Sequence, residues 1–282
     1  MLMPSAPLAT SSTRINAPFA EALPPDSLTV LHANQVEKTY GNGTHALSRL
    51  SLRIQRGDFV SLLGPSGCGK STLVKMFAGL ESPSHGHVRW AGFDAPSKSG
   101  LKTAMVFQEA TLMPWATVAT NVRLPLDLHG VPRAEADVRV SKALEQVGLG
   151  AFGKAYPREL SGGMQMRASI ARALVIEPDV LLMDEPFGAL DEFTRNRLDA
   201  DLRALWAARG LTVVFVTHSI YEAVFLSSRV VMMAARPGRL IADVAMDEAD
   251  RSEAYRLSNA FSDHCRNLSA LLMSASDPAD LH

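Results

Sequence analysis

Gly64-Pro65-Ser66-Gly67-Cys68-Gly69-Lys70-Ser71-Thr72 decides how this chain is read. The stretch fits the pattern of a glycine, four residues, then Gly-Lys-Ser, in which small residues let backbone N–H groups wrap a string of phosphates. In that pattern Lys70 reaches the outer phosphates and Ser71 offers its hydroxyl to magnesium. The flanks supply the setting that the pattern requires. Phe59 to Leu63 is a short apolar run suited to a buried strand, and Ser71 to Ala78 reads as a helix whose positive N-terminal end faces the loop. Gly64 to Thr72 is therefore the expected nucleotide cradle, with Cys68 at a variable position where a passive role is expected over a catalytic one, although exposure would make the thiol reactive.

Working outward, Ala104 to Phe107, Val180 to Met183 and Thr212 to Val216 are further short apolar runs, the pattern of strands covered by helices on both faces. They predict an α/β fold, a P-loop NTPase core with a mostly parallel sheet. Upstream, Leu28 to Ile54 alternates in polarity around Gly41-Asn42-Gly43, which predicts an N-terminal antiparallel β subdomain. Residues from about 109 to 160 lack such runs. Within them Val138, Val140, Leu144 and Val147 suggest a helical face, Pro132, Glu135 and Asp137 fit its start, and Gly148 and Gly150 its end. An inserted α-helical subdomain follows. The expected division is a disordered tail over 1–27, a nucleotide-binding unit over 28–245 and a C-terminal helical extension over 246–282.

Composition excludes several classes. A chain of 282 residues with 47% hydrophobic and 20% charged residues supports a buried core. A net charge of −1, with its 28 Lys and Arg scattered, offers no basic patch, so no nucleic-acid partner is expected. Cys68 and Cys265 share no metal or disulfide spacing, which suits a reducing cytoplasm. The longest apolar runs, Val213 to Val216 and Val230 to Ala235, fall far short of the roughly 20 residues of a spanning helix. Residues 1–27 lack a basic stretch followed by an apolar core and so do not resemble a secretory leader. His85 and His87 flank Gly86 in an expected turn, with no third metal ligand beside them.

Two further stretches carry chemistry. In Leu181-Leu182-Met183-Asp184-Glu185-Pro186, Asp184 ends a buried strand, where a carboxylate belongs on the magnesium shell. Glu185 is the expected general base, aligning a water for attack on the γ-phosphate. Between this strand and the phosphate loop lies Leu160-Ser161-Gly162-Gly163. Here a hydroxyl, backbone N–H groups and the dipole of a helix running through Ala173 converge on a point suited to an anion.

That ordered set resembles the ATP-binding cassette proteins over about residues 28–245. The resemblance implies ATP and Mg2+ as ligands, with Gln108 as the residue that senses magnesium and the γ-phosphate, His218 as the switch histidine, and Tyr40 as the ring that stacks on adenine. It implies that Ser161, Gly162 and Gly163 meet the γ-phosphate held by the opposite subunit, and that Asp191 crosses the interface. Catalysis would then rest on Glu185, His218, Lys70 and Gln108, and magnesium on Ser71, Gln108 and Asp184. Met164 stands where glutamine is commonest, a departure that leaves the phosphate contact intact.

Met113-Pro114-Trp115, Asp184 to Thr194, Thr217 to Ala223 and Arg236-Pro237-Gly238-Arg239 resemble, more narrowly, the nitrate, sulfonate and taurine importer ATPases. The implied partners are a second copy of the chain, two membrane permeases and, indirectly, a periplasmic solute-binding protein, with the chain on the cytoplasmic face of the inner membrane. A pyrimidine-type vitamin precursor is an alternative solute. Trp115, near Leu112 and Val118, suits either permease contact or packing. A soluble cassette acting on ribosomes or DNA is a different class, usually with two cassettes or a long coiled-coil insertion. A phosphate-loop kinase is disfavoured by the Ser161 turn. Phe261, Leu268, Leu271 and Leu272 suggest an amphipathic helix packed on the chain's own core.

Overall fold

In the computed structural model, which describes residues 28–188, 190–235, 237–246 and 251–275, the four apolar runs all become strands of one sheet. The expected tail, residues 1–27, lies outside the described residues.

The chain opens with β1 (Thr29–Thr39) and β2 (His45–Gln55), paired antiparallel across the turn at Gly41-Asn42-Gly43. Then come β3 (Phe59–Leu63), α1 (Lys70–Phe77), β4 (His85–Trp90) and β5 (Thr103–Val106). A helical stretch follows, with α2 (Val118–Leu128), α3 (Arg133–Gln146) and α4 (Gly162–Leu174). The remainder runs β6 (Val180–Asp184), α5 (Glu192–Arg209), β7 (Thr212–Thr217), α6 (Ile220–Leu226), β8 (Arg229–Ala234), β9 (Arg239–Ala245), α7 (Glu253–Arg256) and α8 (Asn259–Ala275).

The larger sheet has the order β5-β6-β7-β3-β8-β9, parallel except for the antiparallel β9, and the smaller is β2-β1-β4. Successive side chains of the central strands enter two different cores. Phe59, Leu63, Met183, Val213 and Phe215 face the helical stretch and α5, whereas Val60, Leu62, Leu182, Val214 and Val216 face α1 and the smaller sheet. Burial on both faces is why these strands read as unbroken apolar runs. All strand C-termini from β3, β5, β6 and β7 point the same way, so the loops after them gather at one end, where ligands of open α/β sheets bind.

Three expectations are corrected. Val138 is 69% exposed, while Val140, Leu144 and Val147 are buried. His85-Gly86-His87 is not a turn but the start of β4, paired to β1. Gly86 has φ of +75° in an irregular register opposite Gln35, and a Cβ there would collide with the Gln35 carbonyl. The run Ala104 to Phe107 ends as a strand at Val106. The C-terminal residues pack as expected: Phe261 and Leu268 are buried in the main core, and Leu271 and Leu272 rest against it. Burying Phe261 and Leu268 contributes about 2 kcal/mol each.

Candidate functional site

The loop between β3 and α1 closes around the Lys70 ammonium. Lys70 is 4% exposed, and its Nζ donates to the carbonyls of Gly64 at 2.8 Å and Pro65 at 2.9 Å. Gly69, at φ of +87°, caps α1 in a left-handed conformation, and a Cβ on it would strike the Leu47 side chain. Ser66, Gly67, Gly69, Lys70, Ser71 and Thr72 line a cavity of about 470 Å³, which also takes in Gln108 and Glu185. Cys68 is not exposed. It lies buried with Sγ 3.7 Å from Lys70 Nζ, and burial pushes its thiol up from the ordinary value. That overturns the expected exposure and fits a passive role: the thiol has neither access nor thiolate character.

The two acids hold different positions. Asp184, at the end of β6, accepts the Ser71 hydroxyl at 2.7 Å. Burial pushes its carboxyl up, while the Ser71 bond pulls it down, the neighbouring Glu185 pushes it up again, and Lys75 and Lys70 pull it down. A buried carboxylate and a hydroxyl so placed, beside this cavity, form an oxygen donor set that fits a small hard cation such as Mg2+. Glu185 has φ of +46°, uncommon for a residue with a side chain, and its N–H is held by Val216 O at 3.2 Å. The turn aims its carboxylate at two nitrogens: Lys70 Nζ lies 4.0 Å from one oxygen and His218 Nδ1 3.4 Å from the other.

The remaining expected residues divide into two groups. Gln108 lines the cavity, and His218 follows β7 beside Glu185. Tyr40 sits at its border, its hydroxyl 3.2 Å from that of Thr72 and its ring 5.0 Å from Lys38 Nζ. Ser161, Gly162, Gly163 and Asp191 do not line this cavity. Ser161 caps α4 by accepting the Met164 N–H, and Asp191 caps α5 by accepting the Thr194 N–H. Both helix starts present polar groups outward.

The ABC transporter family model matches residues 47–188, a span holding the phosphate loop, the Ser161 turn and both acids. An uncharacterised ABC transporter ATP-binding protein of Methanocaldococcus jannaschii is 45% identical over 220 residues, 78% of this chain and 82% of its own. The chain belongs to the ABC transporter family. This ABC ATPase is also 43% identical over 244 residues to a taurine import ATP-binding protein of Rhizobium johnstonii, across 84% of this chain and 93% of the relative. An aliphatic sulfonates import ATP-binding protein of Bacillus cereus is 43% identical over 210 residues, 73% of this chain and 82% of the relative. Among solved structures, a dimeric ATP-binding cassette in a post-hydrolysis state bound to ADP and Pi superposes with a TM-score of 0.69 at 32% identity, covering 77% of this chain and 99% of that one.

The cavity of this ABC ATPase is also lined by residues that sequence reasoning missed. Thr44, His45, Ala46 and Gly238 line the cavity, and a Cβ on Gly238 would strike the Cys68 carbonyl. Gly238 was visible only as part of the Arg236-Pro237-Gly238-Arg239 stretch that resembles the importer ATPases; its approach to the phosphate loop depends on where β9 joins the sheet. Glu222 is the other omission. It is buried on α6, accepts the Thr217 hydroxyl and lies 3.5 Å from Arg195 Nε. Burial pushes its carboxyl up, against Thr217 and Arg195. In sequence it was only one member of the Thr217 to Ala223 stretch, with no role assigned.

Proposed function

We propose that this ABC ATPase energises an importer, working as a pair of copies on the cytoplasmic face of the inner membrane beneath two permeases. The solute delivered by their periplasmic binding protein is a small anionic or nitrogen- or sulfur-containing compound of nitrate, sulfonate or taurine type. The cassette spans about 28–245, with its helical subdomain at about 109–160 and an extension from 246. The juxtaposition of Glu185 with Lys70 and His218, beside the Ser71–Asp184 pair, carries the catalytic reading; the names of the taurine and sulfonate import relatives support the solute class. Among the described residues no helix is long and apolar enough to cross a membrane, which suits a subunit working with separate permeases.

In this reading Lys70 and the loop N–H groups hold the outer phosphates, and Tyr40 stacks on adenine. Glu185 accepts a proton from the water whose oxygen attacks the γ-phosphorus, as the bond to the leaving ADP oxygen breaks. His218, against the second Glu185 oxygen, holds that carboxylate and contacts the γ-phosphate. Magnesium bound through Ser71, Asp184 and Gln108 would offset the triphosphate charge. Ser161, Gly162, Gly163 and Asp191 serve the other copy's nucleotide, which explains why they cap helices away from their own cavity.

Reconstitution tests the whole. Turnover of the purified chain is expected to rise with its own permease pair and one solute-loaded binding protein; turnover indifferent to every permease pair sinks the importer reading. Trp115 is 77% exposed, so core packing is ruled out for its side chain. Trp115→Ala should leave the melting temperature almost unchanged, within the ~0.5 kcal/mol of an ordinary surface change, yet reduce permease-stimulated turnover. Equal stimulation in that variant removes Trp115 from the contact. Ser161→Ala should cost about 1 kcal/mol through the lost cap of α4. It should also weaken ATP-driven pairing of two copies, read by light scattering.

A further inference from the structure

The C-terminal segment holds α6 at its far end. Four carbonyls at the end of a helix lack partners within it. At α6, Arg251 supplies donors to Val224 O and to Phe225 O at 3.2 Å, with a further bond to Met246 O at 3.1 Å, and α5 contributes Arg203 to Leu226 O at 2.6 Å. Arginines at this end also complement the negative pole of the helix. Arg256 of α7 makes the second tie: its guanidinium lies 3.5 Å from the Phe225 ring centroid and donates to Asp199 Oδ2 of α5 at 2.9 Å. One side chain thus bridges α5 and α6. α8 then packs against α6 and β8, with Phe261 5.4 Å from the Tyr255 ring and 6.0 Å from that of Tyr221.

The other ends of these two helices carry the chemistry. α6 is capped by Ser219, directly after His218, and Ser219 N donates to Thr217 Oγ1 at 2.9 Å while Thr217 in turn donates to Glu222. Glu222 pairs with Arg195 of α5, whose N-cap is Asp191. This short helix is anchored at both ends, and both sets of anchors lie beyond the span that the family model matches.

We infer that Arg256 is a positioning residue for the ATPase site: by tying Asp199 of α5 to the Phe225 end of α6, it fixes the His218–Glu185 contact. The inference rests on the catalytic reading of those two residues given above. Burial drives the Asp199 carboxyl up to about 7, against Arg256 and Arg195 and with Glu222. A change at Arg256 therefore lets Asp199 take up a proton rather than strand a buried charge.

The test is a double-mutant cycle on the full chain, with kcat, KM for ATP and melting temperature measured for Arg256→Gln, His218→Ala and the pair. Arg256→Gln should lower kcat about tenfold, within the range of coupling between sites, with KM changed by less than about twofold. In the His218→Ala background it should cause no further loss, because the residue it acts through is gone. Arg256→Lys, which keeps the charge but not the planar stack on Phe225, should recover part of kcat; if the Gln variant fails to fold, the cycle is run with Lys. Effects that multiply in the double variant, or an unchanged kcat, overturn the inference alone. Near-normal turnover in His218→Ala overturns the catalytic reading beneath it.

Discussion

Glu185→Gln should slow ATP turnover by about 10²–10⁴-fold, the contribution of a positioned general base, and leave nucleotide affinity nearly intact. The amide matches the carboxylate in size but cannot accept the proton of an attacking water. Its place is set by the backbone: φ of +46° at the end of β6 and the N–H bond to Val216 O are independent of the side chain. The side chain's two neighbours, Lys70 and His218, sit 4.0 and 3.4 Å away, near enough to orient a carboxylate and too far to be structural supports. The variant should therefore melt close to the parent. With ATP retained and not cleaved, two copies should stay paired, and a dimer stable in ATP but not in ADP is the accompanying signature in gel filtration. Turnover near the parent rate removes Glu185 from the role of base.

Much of this site was legible because its signals are local. The phosphate loop, the strand before it and the helix after it are contiguous, so Gly64 to Thr72 could be placed from spacing alone, and the unbroken run at 180–183 put Asp184 at a strand end. Gln108 and His218 also follow such runs, but their roles, like those of Tyr40 and Asp191, came from the family's pattern. What failed did so for geometric reasons. Val138 was counted with Val140 and Leu144, yet at about 100° per residue it lies roughly 200° from Val140 and must face the other side of α3. Gly86 suggested a turn, but its positive φ serves a bulge inside a strand pairing that depends on Gln35, fifty-one positions away by the numbering. Cys68 looked accessible because phosphate loops are surface features; Gly64 and Gly238 let chain segments pack close around it. Thr44, His45 and Gly238 join the cavity by register between strands, which no short stretch of sequence records.

Lys70→Ala separates binding from chemistry. One charge-assisted hydrogen bond to a phosphate contributes about 1.5–3 kcal/mol, so ATP affinity should fall by roughly 10- to 150-fold at 1.4 kcal/mol per decade. Turnover at low ATP should fall at least as far. Lys70 also supports the loop itself, since its bonds to Gly64 O and Pro65 O brace it from within. Losing them leaves two inward carbonyls to water and should cost about 1–3 kcal/mol of stability, visible as a lower melting temperature without ligand. The two effects can be told apart with Lys70→Arg. Arginine keeps the charge, but its planar fork does not replace a compact ammonium held between two carbonyls in a nearly closed space, so affinity should stay low although the cation is retained. Calorimetric titration with ATP reads the first effect and thermal melting the second. If Lys70→Ala binds ATP as tightly as the parent, the cradle is held by its backbone N–H groups and the ammonium serves only the loop; if Lys70→Arg restores binding, charge alone is what the phosphates require.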